Sequence, residues 1–364
     1  MNATQAAVDL DDAEGLLAAD REGLLRSASM AGAQVRATAA ALDEGDLDPL
    51  KSDQPPRTVI WVAGRGNAET AGVMLSAMLG GSAAAPIVVA SEVPPWIGAL
   101  DVLVLAGDDP GDPALVSAAA TAVRRGARVA VVAPYEGPLR DATAGRSVPL
   151  APRVWVRDDF SLTRYLAAGL AVLQAVDPAL RVDLAALADE LDAEAFRNSA
   201  GRELFTNPAK TLAERMSGRD VVLVGDNAAT LALARHGSAI MLRIAHQTVA
   251  AVGLADALVA VQGGMGGESG VDREKSIFHD EQIDGPLPRR VRTFVLATDA
   301  ERPVVAARVG GLDDVVVINA EDVPEISDAP EVAVADATGR PEQQLAMLAV
   351  RLEMTATYLR LVRG

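Results

Sequence analysis

A chain of 364 residues, half of them hydrophobic, is long enough for two domains with a sizeable core in each. Its net charge of −17 and lack of any basic stripe exclude a nucleic-acid role, because such a field repels phosphate backbones. With no cysteine and only His236, His246 and His279, neither a disulfide framework, thiolate chemistry nor a Cys- or His-rich metal site is expected, and no cofactor is implied. A small anion remains possible as a ligand, since backbone amides and one or two arginines override the global sign locally. Any catalytic lysine must be Lys51, Lys210 or Lys275. The acidic amino terminus lacks a basic segment followed by an apolar run, and no apolar stretch reaches membrane-spanning length. A cytoplasmic protein without a membrane partner is expected.

Taken in chain order, the first fifty or so residues read as helical. Asp11 with Glu14 fits a capping box ahead of Leu16, Leu17, Leu24 and Leu25, and a second helical pattern covers 31–42. The Asp- and Pro-rich stretch 43–56 reads as a linker. From Thr58 the rhythm changes to short apolar runs at Thr58–Ala63, 86–90, Asp101–Ala106 and 127–133, with a well-marked helix over 113–125. Each run is continuous rather than alternating, as strands buried on both faces of a parallel sheet should be. Amphipathic helices over 158–176 and 183–198 bridge to a second series, with strands expected at 220–227, 239–244, 257–262, 291–298 and 314–320. The glycine-rich 263–270 reads as a flexible loop and candidate lid, and a long helix over 341–362 closes the chain. Two α/β units of comparable order suggest a weak internal repeat, and the small aliphatic composition suits helix–sheet layers.

The first strand runs into Gly64-Arg65-Gly66-Asn67 and straight into a helix. Glycines at such a turn let a ligand approach the backbone, and the helix start offers amides to an anion. Glu69 stands where a dinucleotide fingerprint needs its third glycine, so that motif is not met. A plain tight turn is the other reading. Gly225-Asp226-Asn227 holds the same place in the second series and reads as a helix cap. Asp108, Asp109 and Asp112, spaced by Pro110 and Gly111, read as a turn and a cap rather than a metal cluster. Arg153, ahead of the bridging helix, is either a surface arginine or a group that neutralises a phosphate or a developing enediolate. His236 reads as structural near a helix end, and His246 as the start of a small-residue helix. His279 lies in an irregular polar segment, where ring opening or proton shuttling is feasible.

These landmarks together resemble the bifunctional phosphoglucose/phosphomannose isomerase family over nearly the whole chain. The segments that carry the likeness are WVAGRGNAETAGVML, the Ala-Pro-Arg at 151–153 with RYLAAGLAVL, NPAKTLAERMSGRDVVLVG, SIFHDEQIDG and TYLRLVRG. The resemblance implies two tandem sugar-isomerase (SIS) domains, each a doubly wound parallel sheet in an α/β/α sandwich, with helices at both chain ends. Its boundaries are a helical lead over 1–56, a first domain over 57–150, a helical bridge over 151–198, a second domain over 199–320 and a closing helix over 321–364. It also implies a homodimer whose ligand is glucose 6-phosphate, mannose 6-phosphate or fructose 6-phosphate. Members interconvert aldose and ketose phosphates through a cis-enediol.

Carried over by position, Arg153 and His279 match catalytic residues of the family, and Gly64 and Gly66 match its first turn. Asn67 stands where a serine is expected, and the serine- and threonine-rich phosphate loop is replaced by a segment bearing Asp108 and Asp109. His246 or a direct neighbour takes the place of the base glutamate, and no counterpart of the family's C-terminal lysine segment precedes Gly364. Three functions follow as expectations. One is an isomerase with His246 as base and His279 as ring opener; the second is a catalytically degenerate sugar-phosphate-binding or regulatory protein; the third is a structural interaction partner whose acidic surface docks on another enzyme.

Overall fold

The computed structural model describes residues 8–265, 291–312, 314–321 and 340–363. The chain divides into two compact units, one of 22–199 with 341–350 and the other of 1–21, 200–340 and 351–364.

The unit of 22–199 is built on five parallel strands: β1 (Thr58–Ala63), β2 (Ile87–Ala90), β3 (Asp101–Ala106), β4 (Arg128–Val132) and β5 (Val148–Pro149). They lie in the order β2-β1-β3-β4-β5. All residues of β1 and β3 are buried, as the continuous apolar runs require when helices cover both faces. On one face Ile60, Val62, Leu103 and Leu105 pack with Leu115 and Ala118, the latter two on α5 (Pro113–Arg124). The other face is fitted around Trp61. A Cβ on Gly72 of α4 (Gly66–Leu79) would meet its Cδ1 at 2.4 Å, and one on Gly169 of α7 (Leu162–Val176) would meet Cζ3 at 3.0 Å. Two small residues thus let α4 and α7 close on one indole ring.

Local chemistry shifts several expected boundaries. The helix α1 (Ala13–Ala19) is capped by Asp12, which accepts from Gly15 N at 2.9 Å; Asp11 instead accepts from Leu204 N at 2.7 Å. After α2 (Leu24–Ala28), α3 runs over Ala31–Asp43, and the expected linker begins packed, with Leu47 and Leu50 buried around a 3-10 turn at Asp48–Leu50. The bridging helix breaks at Ser161, leaving a 3-10 turn (Asp158–Phe160) before α7. The short helix α6 (Gly137–Thr143) and strand β5 had no sequence signal, while α8 (Leu184–Arg197) lies where expected.

The other unit carries α9 (Pro208–Met216), β6 (Asp220–Gly225), α10 (Ala228–Arg243), β7 (Ala250–Gly253), α11 (Leu254–Gln262), β8 (Val291–Leu296), α12 (Arg302–Val309) and β9 (Val315–Ile318). Two expected strands are helical. Residues 239–244 end α10, where Ile240, Met241 and Ile244 are buried while Leu242 and Arg243 are exposed, a helical spacing. Residues 257–262 belong to α11, with Leu254 and Ala257 inward and Val259 outward. The strand of this stretch is β7, made of small residues. The sheet order is β7-β6-β8-β9, repeating the β2-β1-β3-β4 of the first sheet, so the internal repeat exists as topology.

The closing helix α13 (Pro341–Arg363) spans the division between units. In the second-sheet unit its Arg351 is buried and donates to the Asn319 and Ala320 carbonyls at 2.8 Å each. Glu353 Oε1 lies 3.0 Å from His236 Nε2, both residues buried. His236 therefore sits within α10 and is structural, rather than near the helix end. Among the described residues no helix is long and apolar enough to cross a membrane. The candidate lid 263–270 is described only to Met265, and His279 lies outside the described residues.

Candidate functional site

In parallel sheets of this order ligands gather at the carboxyl edge, where the connections from neighbouring strands diverge. For the first sheet that point lies between β1 and β3, which the order places side by side. β1 delivers the exposed Gly64-Arg65-Gly66 turn, with Gly66 at φ +65°, a conformation glycine adopts without strain. Among the described residues no side chain caps the first turn of α4. Arg65 is exposed and, among the described residues, has no ion pair. Sequence reading passed over this residue although it lies inside the turn.

Asn67 is buried, and its Nδ2 faces protein: the Asp158 carbonyl at 2.7 Å, the Asp159 carbonyl at 3.1 Å and Ser161 Oγ at 3.1 Å. Its amide nitrogen therefore clamps the turn ahead of α7. β3 delivers Asp108 and Asp109. Asp109 accepts from Gly111 N at 2.7 Å, and Asp112 caps α5 by accepting from Ala114 N at 2.8 Å. Turn and cap is what the sequence suggested. Among the described residues no group of His, Cys, Asp or Glu could hold a metal ion.

Arg153 follows β5 at this same edge, and its Nη2 lies 2.7 Å from both Glu44 and Asp46. Glu44, by hydrogen bonding, raises the guanidinium above its usual range, and Arg153 lowers the Glu44 carboxyl in return. Its charge is thus matched within the protein. Tyr165, on the first turn of α7, is a buried group that the sequence did not signal. Burial pushes its hydroxyl up to about 12; Arg164 opposes the shift, and Asp108 and Asp158 add to it.

The corresponding edge of the second sheet is closed by its own side chains. Arg308 donates to both Asp226 oxygens at 2.6 and 2.7 Å. Asn227 caps α10 in a capping box with Thr230, as expected, and its Nδ2 donates to Glu301. The same carboxylate accepts from Thr298 N at 2.9 Å and Thr298 Oγ1 at 2.7 Å. His246 is elsewhere. It occupies the loop from α10 into β7, at the amino edge of this sheet, not the start of a helix. Its φ is +52°, rare for a residue with a side chain, and Nδ1 lies 3.5 Å from Arg360 Nη1. Of the six residues singled out from sequence, Gly64, Gly66, Asn67 and Arg153 share one sheet edge. His246 belongs to the other unit.

No family model matches the chain, and no curated protein matches it either. Solved structures do. Tagatose-6-phosphate ketose/aldose isomerase from Escherichia coli is similar at a TM-score of 0.61 and 14% identity, over 99% of this chain and 96% of that one. The C-terminal domain of glucosamine-fructose-6-phosphate aminotransferase from Francisella tularensis gives 0.58 at 11% identity, over 96% of each chain. A glucose-6-phosphate isomerase like protein from Thermus thermophilus gives 0.52 at 20% identity, over 98% and 94%. At these identities the likeness is one of fold. The chain has the α/β architecture of two doubly wound SIS-type sheets.

Proposed function

We propose that this protein binds a sugar phosphate at the carboxyl edge of the first sheet, where Arg65 and the open first turn of α4 receive the phosphate. The observation that carries this reading is an exposed guanidinium with no ion pair among the described residues, between two glycines at the sheet's switch point, in a chain of net charge −17. Glucose 6-phosphate, mannose 6-phosphate and fructose 6-phosphate are the candidate ligands, in keeping with the phosphosugar chemistry named for the similar structures. Gly64 and Gly66 would admit the ligand to the backbone, and Asn67 would hold the turn behind it. A homodimer is part of the proposal.

Aldose–ketose isomerisation through an enediol is the activity to assay, with His246 as base, His279 as ring opener and Arg153 facing the developing charge. Binding without turnover is the reading that the geometry favours. Arg153 is matched by Glu44 and Asp46, and His246 stands at the amino edge of its sheet. Thermal-shift titration with the three hexose phosphates, paired with a coupled isomerase assay, tests both. A shift that Arg65→Ala abolishes, without turnover, is the expected result. Turnover lost in His246→Ala would establish the isomerase instead, and no shift with any of the three sinks the binding site.

A further inference from the structure

Gly64, the exposed residue that follows β1, is bordered by two side chains of opposite charge. One is Arg65, its neighbour in the chain. The other is Asp112, brought in by the loop from β3 to α5. A Cβ on Gly64 would meet Asp112 Oδ2 at 3.0 Å, so glycine lets this carboxylate lie against the backbone of the turn.

The two oxygens of Asp112 differ. Oδ1 accepts from Ala114 N at 2.8 Å and caps α5. Oδ2 has no hydrogen bond or ion pair among the described residues. Arg65 has no ion pair among them either, so the two charges flank Gly64 without pairing with each other. Asp112 is half-buried, which leaves its charge less screened than an exposed one. A hexose phosphate held by Arg65 would bring its own negative charge toward this carboxylate, a like-charge approach that weakens binding. A ligand that carries an ammonium as well as a phosphate removes the repulsion and gives Oδ2 a charged donor.

We propose that the glycine turn takes an amino sugar phosphate, its phosphate on Arg65 and its ammonium on Asp112 Oδ2. This inference rests on the sugar-phosphate reading of the turn and narrows it to a ligand bearing both signs of charge.

Calorimetric titration of the full-length chain at neutral pH with glucose 6-phosphate, glucosamine 6-phosphate and N-acetylglucosamine 6-phosphate separates the charge of the ligand from its ring. Glucosamine 6-phosphate is expected to bind about fivefold or more tighter than either of the others. In Asp112→Asn, whose amide oxygen still caps α5, the preference should fall to within about twofold. Arg65→Ala should abolish binding of all three. Should Asp112→Asn lose its far-ultraviolet circular dichroism, Asp112→Ser, another capping residue without charge, takes its place with the same expectation. Equal affinity for the amine and the acetamide, or a preference that persists in a folded Asp112 variant, would overturn the amino sugar and leave an Arg65-dependent phosphate site standing. Absence of binding by all three would overturn both.

Discussion

Asn67 Nδ2 holds the carbonyl of Asp158 at 2.7 Å, joining residues 91 apart in sequence. The amide that follows the glycine turn thereby fixes the start of α7, and with it the position of Arg164 and Tyr165. Asn67→Ala would leave two carbonyls and the Ser161 hydroxyl without this donor, at a cost of about 1–3 kcal/mol. Asn67→Asp should cost more, because a carboxylate would face carbonyl oxygens that accept and cannot donate. Urea denaturation of the three chains checks this order. A wild-type midpoint for Asn67→Ala would show that the clamp contributes nothing.

The first sheet was legible because β1 and β3 are continuous apolar runs of strand length. The second half was misread between 239 and 262 for a physical reason. A short window such as Ile240-Met241-Leu242 is apolar whether it lies in a buried strand or at the end of a buried helix. Only the length of α10, with Leu242 turned outward, separates the two cases. β7, read from Ala250, Ala251, Val252 and Gly253, has little strand propensity of its own and forms because β6 offers it a partner edge. In the site, glycines announced the turn. The pairing of Arg153 with Glu44, 109 positions away, is a tertiary fact with no local trace.

His236 and Glu353 form the buried polar contact between α10 and α13 in the second-sheet unit. Removing His236 takes one hydrogen bond from a carboxylate held in a low-dielectric interior. His236→Ala should therefore destabilise the chain by about 1–3 kcal/mol. Glu353→Gln, which keeps an acceptor for the ring nitrogen, should cost less. A double-mutant cycle by thermal denaturation measures the coupling, and strictly additive effects would refute it.

Trp61 leaves no room on Gly72. Gly72→Ala would push a methyl to 2.4 Å from the indole Cδ1, so ring or helix must shift, at about 1–3 kcal/mol. Gly81→Ala is the control, since a Cβ there meets nothing within 4 Å. Guanidinium denaturation should separate the two variants by at least about 1 kcal/mol. Equal midpoints would mean that the α4 face is loosely packed.

Alkaline pH should unfold the chain through its buried tyrosines. The folded-state value of Tyr165, about 12 against an ordinary 10.0, means that the native protein keeps a proton which the unfolded chain releases. The group's contribution is complete below pH 10 and declines as pH rises toward 12, reaching about 3 kcal/mol lost for a two-unit shift. Burial pushes Tyr358 in the same direction, against the opposing hydrogen bond from Asn207. Lys210 acts with the opposite sign. Burial lowers its ammonium below 10.5, so stability rises with pH as that value is approached, which partly offsets the tyrosines. Tyr165→Phe removes one proton from this balance. Urea unfolding measured from about pH 9 to pH 11 should fall less steeply in Tyr165→Phe than in the parent chain. Parallel curves would mean that the phenol reaches solvent in the folded protein, and that Asp108 and Asp158 do not act on it.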